Sequence, residues 1–493
     1  MVASLATLPA EIQLQIAQLP GDKFRLMLCS RHFYNMLMPF LYEHLDLKSS
    51  PTGATTAAIV QTIFIRKPHL ASRVRTLSVQ GWDIGGDHWN GSYYNFGAVL
   101  DAWTKGKIEL RYEKRDDDDE RKLKPSDFDF TFVREKLKLT SLSEAEENFW
   151  MAGLEAFNGD AWIGLLLVIL PNLRRLEMQF PFNFCSFVPW VLDRVGDRMV
   201  EKLPALKSLS EVAVDWWDTK EGLGQDYAFL FFRLPSVRRF FGNMVVEDGP
   251  GIWEEGKGEQ LIASTRQTSP ITHIELQSSN SANGVISLIE SCKNLISFKY
   301  EHSSGAVSGL FFDAEPFYAS IYPARHTLET IVFEDNSIMI DTYQGIPSFN
   351  EFTALKVLRI PEEMLPNRPL RELLPPSIEI LQLYSADLPD YLRRVVEMVE
   401  THLRNDLDQT PALSEIVIQG YFEDSPPTPR LGEPAVTSVA RHRPWDPDVE
   451  RIVSGLRDAC TNAGIKFGLL PHSEILYSDP WTGVGFQPLV FSK

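Results

Sequence analysis

Glu362 and Glu363 stand side by side at the end of a predicted strand, where two carboxylates would be placed for acid and base work. Neighbours in an extended chain point to opposite faces, so the pair reads as solvated loop charge. His273, beside Ile274 in another predicted strand, is the one histidine that suggests a site, and an exposed or hydrogen-bonded sheet residue is the plainer reading. Asp116, Asp117, Asp118, Asp119 and Glu120 form an acidic run without the glycine-turned spacing of a calcium loop, and read as a solvated segment. Arg174, Arg175, Arg238 and Arg239 flank strands, where a phosphate would find guanidinium partners, although such flanking charge is ordinarily just solvated. The sequence has no Gly-x-Ser-x-Gly elbow, no glycine-rich phosphate loop ending in Lys-Ser/Thr, no His-Glu-x-x-His and no Cys-x-x-Cys. No residue is singled out as catalytic, metal-ligating or cofactor-binding, and the expectation is a protein that is not an enzyme and needs no cofactor. A site assembled from remote segments leaves no such local mark.

Charge and composition narrow the partners. A formal charge of −18, from 48 basic and 66 acidic side chains, repels a polyanion unless cations cluster, so nucleic acid is not expected as a partner. Cys29, Cys185, Cys292 and Cys460 lie far apart, which suits neither a zinc site nor a disulfide framework and fits a reducing compartment, cytoplasmic or nuclear. The longest apolar run, 163–170, is too short to span a bilayer, and the N-terminus lacks the basic start and greasy core of a secretory leader, so no membrane is expected.

The elements that carry these residues repeat. One spacing, apolar-x-x-apolar-x-apolar, occurs as Val74/Leu77/Val79, Leu173/Leu176/Met178, Leu209/Val212/Val214, Ile271/Ile274/Leu276 and Leu295/Phe298/Tyr300. It returns as Leu328/Ile331/Phe333, Leu355/Leu358/Ile360, Ile378/Leu381/Leu383 and Leu413/Ile416/Ile418, with Val237/Phe240 as a damaged copy. Each predicts a strand with one side turned inward. From Leu176 to Ile416 the copies average 30 residues per step, a period at which no unit buries its greasy side without a neighbour. Between them Val285, Ile286, Leu288, Ile289 and Cys292 make one helical stripe, and Leu392, Val395, Val396, Val399 and Leu403 another. This resembles the leucine-rich repeat family, although the asparagine that the family places after the strand is met in frame only by Asn336. An insertion at about 81–160 carries Trp82, Trp89, Tyr93, Tyr94, Phe96 and Trp103, read as its private core rather than a binding platform, and a helix opened by a capping box at Ser143 and Glu146. Residues 423–448 are proline-rich and read as a linker or loop; 449–493 supply a closing helix, strand and tail.

Ahead of the repeats, a first greasy helix carries Ile12 and Ile16 on one side, and an apolar run through Leu28 and Phe33 folds back across Pro20, Gly21 and Asp22. Leu8-Pro9-x-Glu11-Ile12, Ile16, Leu19-Pro20 and Leu28-Cys29-Ser30-Arg31-x-Phe33 together resemble the F-box. Gln13 departs from it, standing where an apolar residue is usual, and the stretch between Leu19 and Leu26 is short. The resemblance implies that Leu8, Pro9, Ile12, Ile16, Leu28, Cys29 and Phe33 touch the adaptor subunit of an SCF-type cullin-RING ubiquitin ligase. A cullin would be reached through that adaptor, and the repeats would hold an unknown target protein. The other reading is a plain helical hairpin capping a protein-binding scaffold. The fold class read from the sequence is α/β: a helical F-box over 1–47, then an irregular leucine-rich-repeat-like α/β solenoid over 48–422.

Overall fold

The computed structural model describes residues 8–17, 22–47, 53–82, 96–107, 128–138, 142–181, 187–196, 206–216, 222–247, 257–303, 312–335, 345–384, 389–420, 422 and 447–471. The chain divides into two compact units, one of residues 1–312 with 336–339, the other of 313–335 with 340–493. Asn336, Trp89, Tyr93, Tyr94, the acidic run 116–120, Cys185 and nearly all of the proline-rich 423–448 lie outside the described residues.

In the first unit the strands are β1 (His44–Leu47), β2 (Thr76–Gln80), β3 (Arg175–Phe180), β4 (Glu211–Trp216), β5 (Leu223–Gly224), β6 (Arg239–Asn243), β7 (Val245–Val246), β8 (His273–Ser279) and β9 (Ser297–His302). All but β5 and β7, which pair with each other, form one parallel sheet in the order β1-β2-β3-β4-β6-β8-β9. Parallel neighbours require a crossover, and the intervening helices supply it. The register aligns the repeat positions: Leu45, Leu77, Leu176, Val212, Phe240, Ile274 and Phe298 stand opposite one another in turn, and all are buried. β3 shows the consequence, its buried and half-exposed residues alternating along its whole length.

The damaged copy is a full member of this sheet. Gly242 stands at its third apolar position, and a Cβ there would lie 2.7 Å from Val245 Cγ2 and 2.9 Å from Leu276 Cδ2. Val245, from the next short strand, occupies the volume a side chain of residue 242 would need, so the missing apolar residue leaves no void.

The helices of this unit follow from local chemistry. Ser143 accepts a hydrogen bond from the Glu146 backbone amide while the Glu146 carboxylate accepts from the Ser143 amide at 2.8 Å, the reciprocal cap expected at the start of helix Glu144–Glu155. Helix Gly159–Ile169 is buried along its whole length, and Trp150 and Trp162 satisfy their indole N–H groups on the carbonyls of Ala161 and Leu154. Asp160, also buried, accepts from the Phe187 amide at 2.7 Å and the Val188 amide at 3.3 Å, placing a carboxylate on the positive end of helix Phe187–Gly196. Trp103 packs on Phe149 and Trp82 on Phe180, so these two insertion aromatics serve the interior.

The second unit repeats the scheme with β10 (Thr330–Asp335), β11 (Val357–Pro361), β12 (Ile380–Tyr384), β13 (Glu415–Gly420) and β14 (Lys466–Pro471), parallel and paired in sequence order. Ile331, Leu358, Leu381, Ile416 and Phe467 fall in one register row. Helix Pro389–Asn405 buries Leu392, Val395, Val396, Val399 and Leu403, the expected stripe. The C-terminal helix begins at Pro447, inside the expected linker, because proline at a first helical position loses no hydrogen bond.

The N-terminal segment holds three helices rather than two: Ala10–Ala17, Asp22–Cys29 and Arg31–Leu41. The apolar run breaks at Ser30, whose extended backbone and hydroxyl, accepting from the Phe33 amide at 3.2 Å, restart the chain as a new helix. Pro39 lies inside that third helix, and β1 follows as the exit into the sheet.

Candidate protein-interaction surfaces

Ile12, Leu28, Tyr34, Phe40 and Leu41 are the large apolar side chains left exposed among the described residues, and all five belong to the N-terminal helices. Leu28 is 73% exposed and Ile12 40%. Burying one such side chain is worth about 1.5–3 kcal/mol. Five together on 30 residues mark a surface suited to being covered.

The expected contact residues divide. Ile12, Leu28, Pro9 and Cys29 are exposed, and Leu8 is half-buried. The side chain of Ile16 lies outside the described residues. Phe33 differs from these: it is buried, edge-on to His32, just after the Ser30 cap, and turns into this chain's own interior. Gln13 explains itself. It is buried at the usual apolar position, donates from Nε2 to the Leu8 carbonyl at 2.7 Å and lies 2.8 Å by Oε1 from His32 Nε2, which clasps the first helix to the third. Tyr34, Phe40 and Leu41 were missed by sequence reasoning, since helical periodicity alone does not separate a stripe facing the core from one facing a partner.

The second surface is the open side of each sheet, where residues alternate with the buried ones. In the first unit Asp46, Ser78, Glu177, Ala213, Phe241, Glu275 and Lys299 form one register row. Beside it Asp215 accepts from Gln179 Nε2 at 3.1 Å, Asn243 Nδ2 at 2.7 Å and the Trp216 amide at 2.8 Å. Burial pushes its carboxyl above the ordinary range while those hydrogen bonds pull the other way. In the second unit Arg359 bonds Gln419 Oε1 at 3.0 Å, pairs with Glu334 at 3.1 Å and lies over the Tyr384 ring. Neither cluster was found from the sequence, because both join side chains from different repeats at positions that the spacing leaves unspecified.

Other candidates resolve as structural. Arg175 pairs with Glu177 at 2.7 Å and with Glu211 at 3.4 Å, and so is already neutralised. His273 Nδ1 lies 2.8 Å from the Thr272 hydroxyl. Glu362 is not a solvated loop charge: it is 2% exposed, opens a short 3₁₀ turn and is ion-paired with Arg394. Its partner lies 32 positions along the chain, beyond any local reading. Desolvation raises its carboxyl pKa, opposed by that guanidinium. Among the described residues no group of three or more His, Cys, Asp or Glu side chains is placed to hold a metal ion, and no single helix is long and apolar enough to cross a membrane. A concavity of about 350 Å³ is lined by Phe232, Arg233, Thr265 and Thr268, but the Arg233 guanidinium is bound to Asp193.

A leucine-rich repeat domain model matches residues 135–420, more than half of the 493. No F-box model matches the first 47 residues, and no curated protein matches the chain. β2 and β14 lie beyond the matched span yet pair in register with strands inside it, and β1 pairs in turn with β2. With its strands stacked at the repeat positions and that match over most of its body, the chain belongs to the leucine-rich repeat domain family.

Proposed function

We propose that this protein is the substrate receptor of an SCF-type ubiquitin ligase. The leucine-rich repeat domain points to a protein-binding scaffold, and the finer reading rests on one observation: every large apolar side chain exposed among the described residues lies between Ile12 and Leu41. Ile12 and Leu28 bury in a groove of the adaptor subunit, with Pro9, Cys29 and the neighbouring aromatics around them. The repeat sheets hold the target, presenting Asp215 and Arg359 already fixed by their neighbours. Transfer to the target's lysines is then accelerated by effective concentration, with the cullin-bound conjugating enzyme supplying the chemistry and no side chain of this chain reacting. The partners are the adaptor, through it a cullin, and an unknown target protein, in the cytoplasm, the nucleus or both. Neither nucleic acid nor a membrane is among them.

Co-purification tests this. The intact chain should retain the adaptor, and Ile12→Asp with Leu28→Asp should lose it while melting at the same temperature, since both residues are exposed. Retention by the double variant overturns the proposal. The burial of Phe33 favours a second reading, in which the helices cap a scaffold that serves no ligase. A folded intact chain that fails to retain the adaptor while still holding another protein on its repeats would select it.

A further inference from the structure

We infer that the N-terminal docking face selects an acidic protein surface, its exposed arginines meeting carboxylates around an apolar groove. This rests on the docking reading above and adds the chemistry of the partner. The charge of the chain is divided unevenly. Residues 1–75 hold eight Lys and Arg against four Asp and Glu, and the remainder holds 40 against 62. The large apolar side chains exposed among the described residues therefore sit in a stretch whose charge is opposite in sign to that of the chain as a whole, which keeps a docking patch from the acidic surface of its own body and steers it to that of another.

The cations share the face with the greasy side chains. Arg25, Leu28 and Cys29 are spaced i, i+3, i+4 on helix Asp22–Cys29, and all three are exposed. Arg31 and Tyr34 repeat the spacing on the next helix, and Lys67 Nζ lies 2.7 Å from the Tyr34 hydroxyl and 5.3 Å from its ring centroid. None of the ion pairs among the described residues engages Arg25 or Arg31, so among those residues their charge is unspent.

A lipid surface is the weaker match. An interfacial helix lays one continuous apolar face along the membrane. Here the exposed side chains are spread over helices of 8, 8 and 11 residues, the first and third clasped by Gln13 and His32. That arrangement offers a shaped surface, which a protein groove complements.

The test titrates the full-length chain with purified SCF adaptor at about 50 mM and about 500 mM salt, comparing it with the variant Arg25→Glu with Arg31→Glu. The expected result is an affinity about ten-fold weaker for the variant at low salt, and a difference that largely disappears at high salt. Adaptor binding that ignores both salt and charge reversal overturns this inference and leaves the docking reading intact. No binding of the adaptor under any condition overturns both. Binding to phosphatidylserine vesicles instead, lost in the same variant, would give the face to a lipid surface, and sedimentation as a self-associated species lost in that variant would give it to a second copy of the chain.

Discussion

Two residues carry predictions of their own. Gln13 is a buried amide whose Leu8 and His32 contacts hold the N-terminal helices together. Gln13→Ala should weaken that clasp by about 1–2 kcal/mol, the cost of leaving buried partners unmatched. Hydrogen exchange should then quicken in helices Ala10–Ala17 and Arg31–Leu41, with the sheets unaffected. His402 is buried against the Thr410 hydroxyl at 2.8 Å, and its Nδ1 has no hydrogen-bond partner among the described residues. Burial holds its pKa below the usual imidazole value, against the pull of Asp406 and Asp408. On acidification the unfolded chain therefore takes up the proton first. The contribution of this histidine to stability is complete above an unfolded pKa of about 6.5 and is lost as the pH falls from there toward the folded value. Denaturation midpoints at pH 7.5 and pH 5.5 should differ more for the intact chain than for His402→Gln. Equal differences would show that other groups set the acid limit.

At the scale of elements, the caps and the register carry the stability. Loss of the Ser143 hydroxyl in Ser143→Ala should cost about 1 kcal/mol, read as a lower melting temperature of the first unit. Gly242→Val should cost about 1–3 kcal/mol by driving a side chain into Val245 and Leu276, although valine completes the repeat pattern on paper. A neutral or stabilising effect would mean that the neighbouring strands yield more freely than their packing implies. The sequence made the strands and their inward positions legible, because a period of two with one buried side is written locally in Leu176, Met178 and Phe180 or in Ile416 and Ile418. It placed the capping box for the same reason. It did not reveal the break at Ser30, where a hydroxyl outweighs an otherwise continuous apolar run. Nor did it reveal the Glu362–Arg394 and Asp215–Asn243 partnerships, which depend on which repeats come together and not on neighbours in the chain.

For the molecule as a whole, the large apolar side chains exposed among the described residues all lie in the first 47, and the sheets carry mostly polar rows fixed across the repeats. Ile12, Leu28 and Cys29 could be read as surface from the F-box resemblance, whereas the burial of Phe33 and the exposure of Tyr34, Phe40 and Leu41 required the third helix to be seen. Cys29 gives the most direct measurement. It is exposed beside Leu28 on the face proposed for docking, whereas Cys292 and Cys460 are buried. A photo-activated cross-linker attached to Cys29, with Cys185 replaced by serine, should trap the adaptor in a one-to-one product whose attachment peptides line a single groove. Cross-links that stay within this chain, with the adaptor present and the protein folded, would contradict the account.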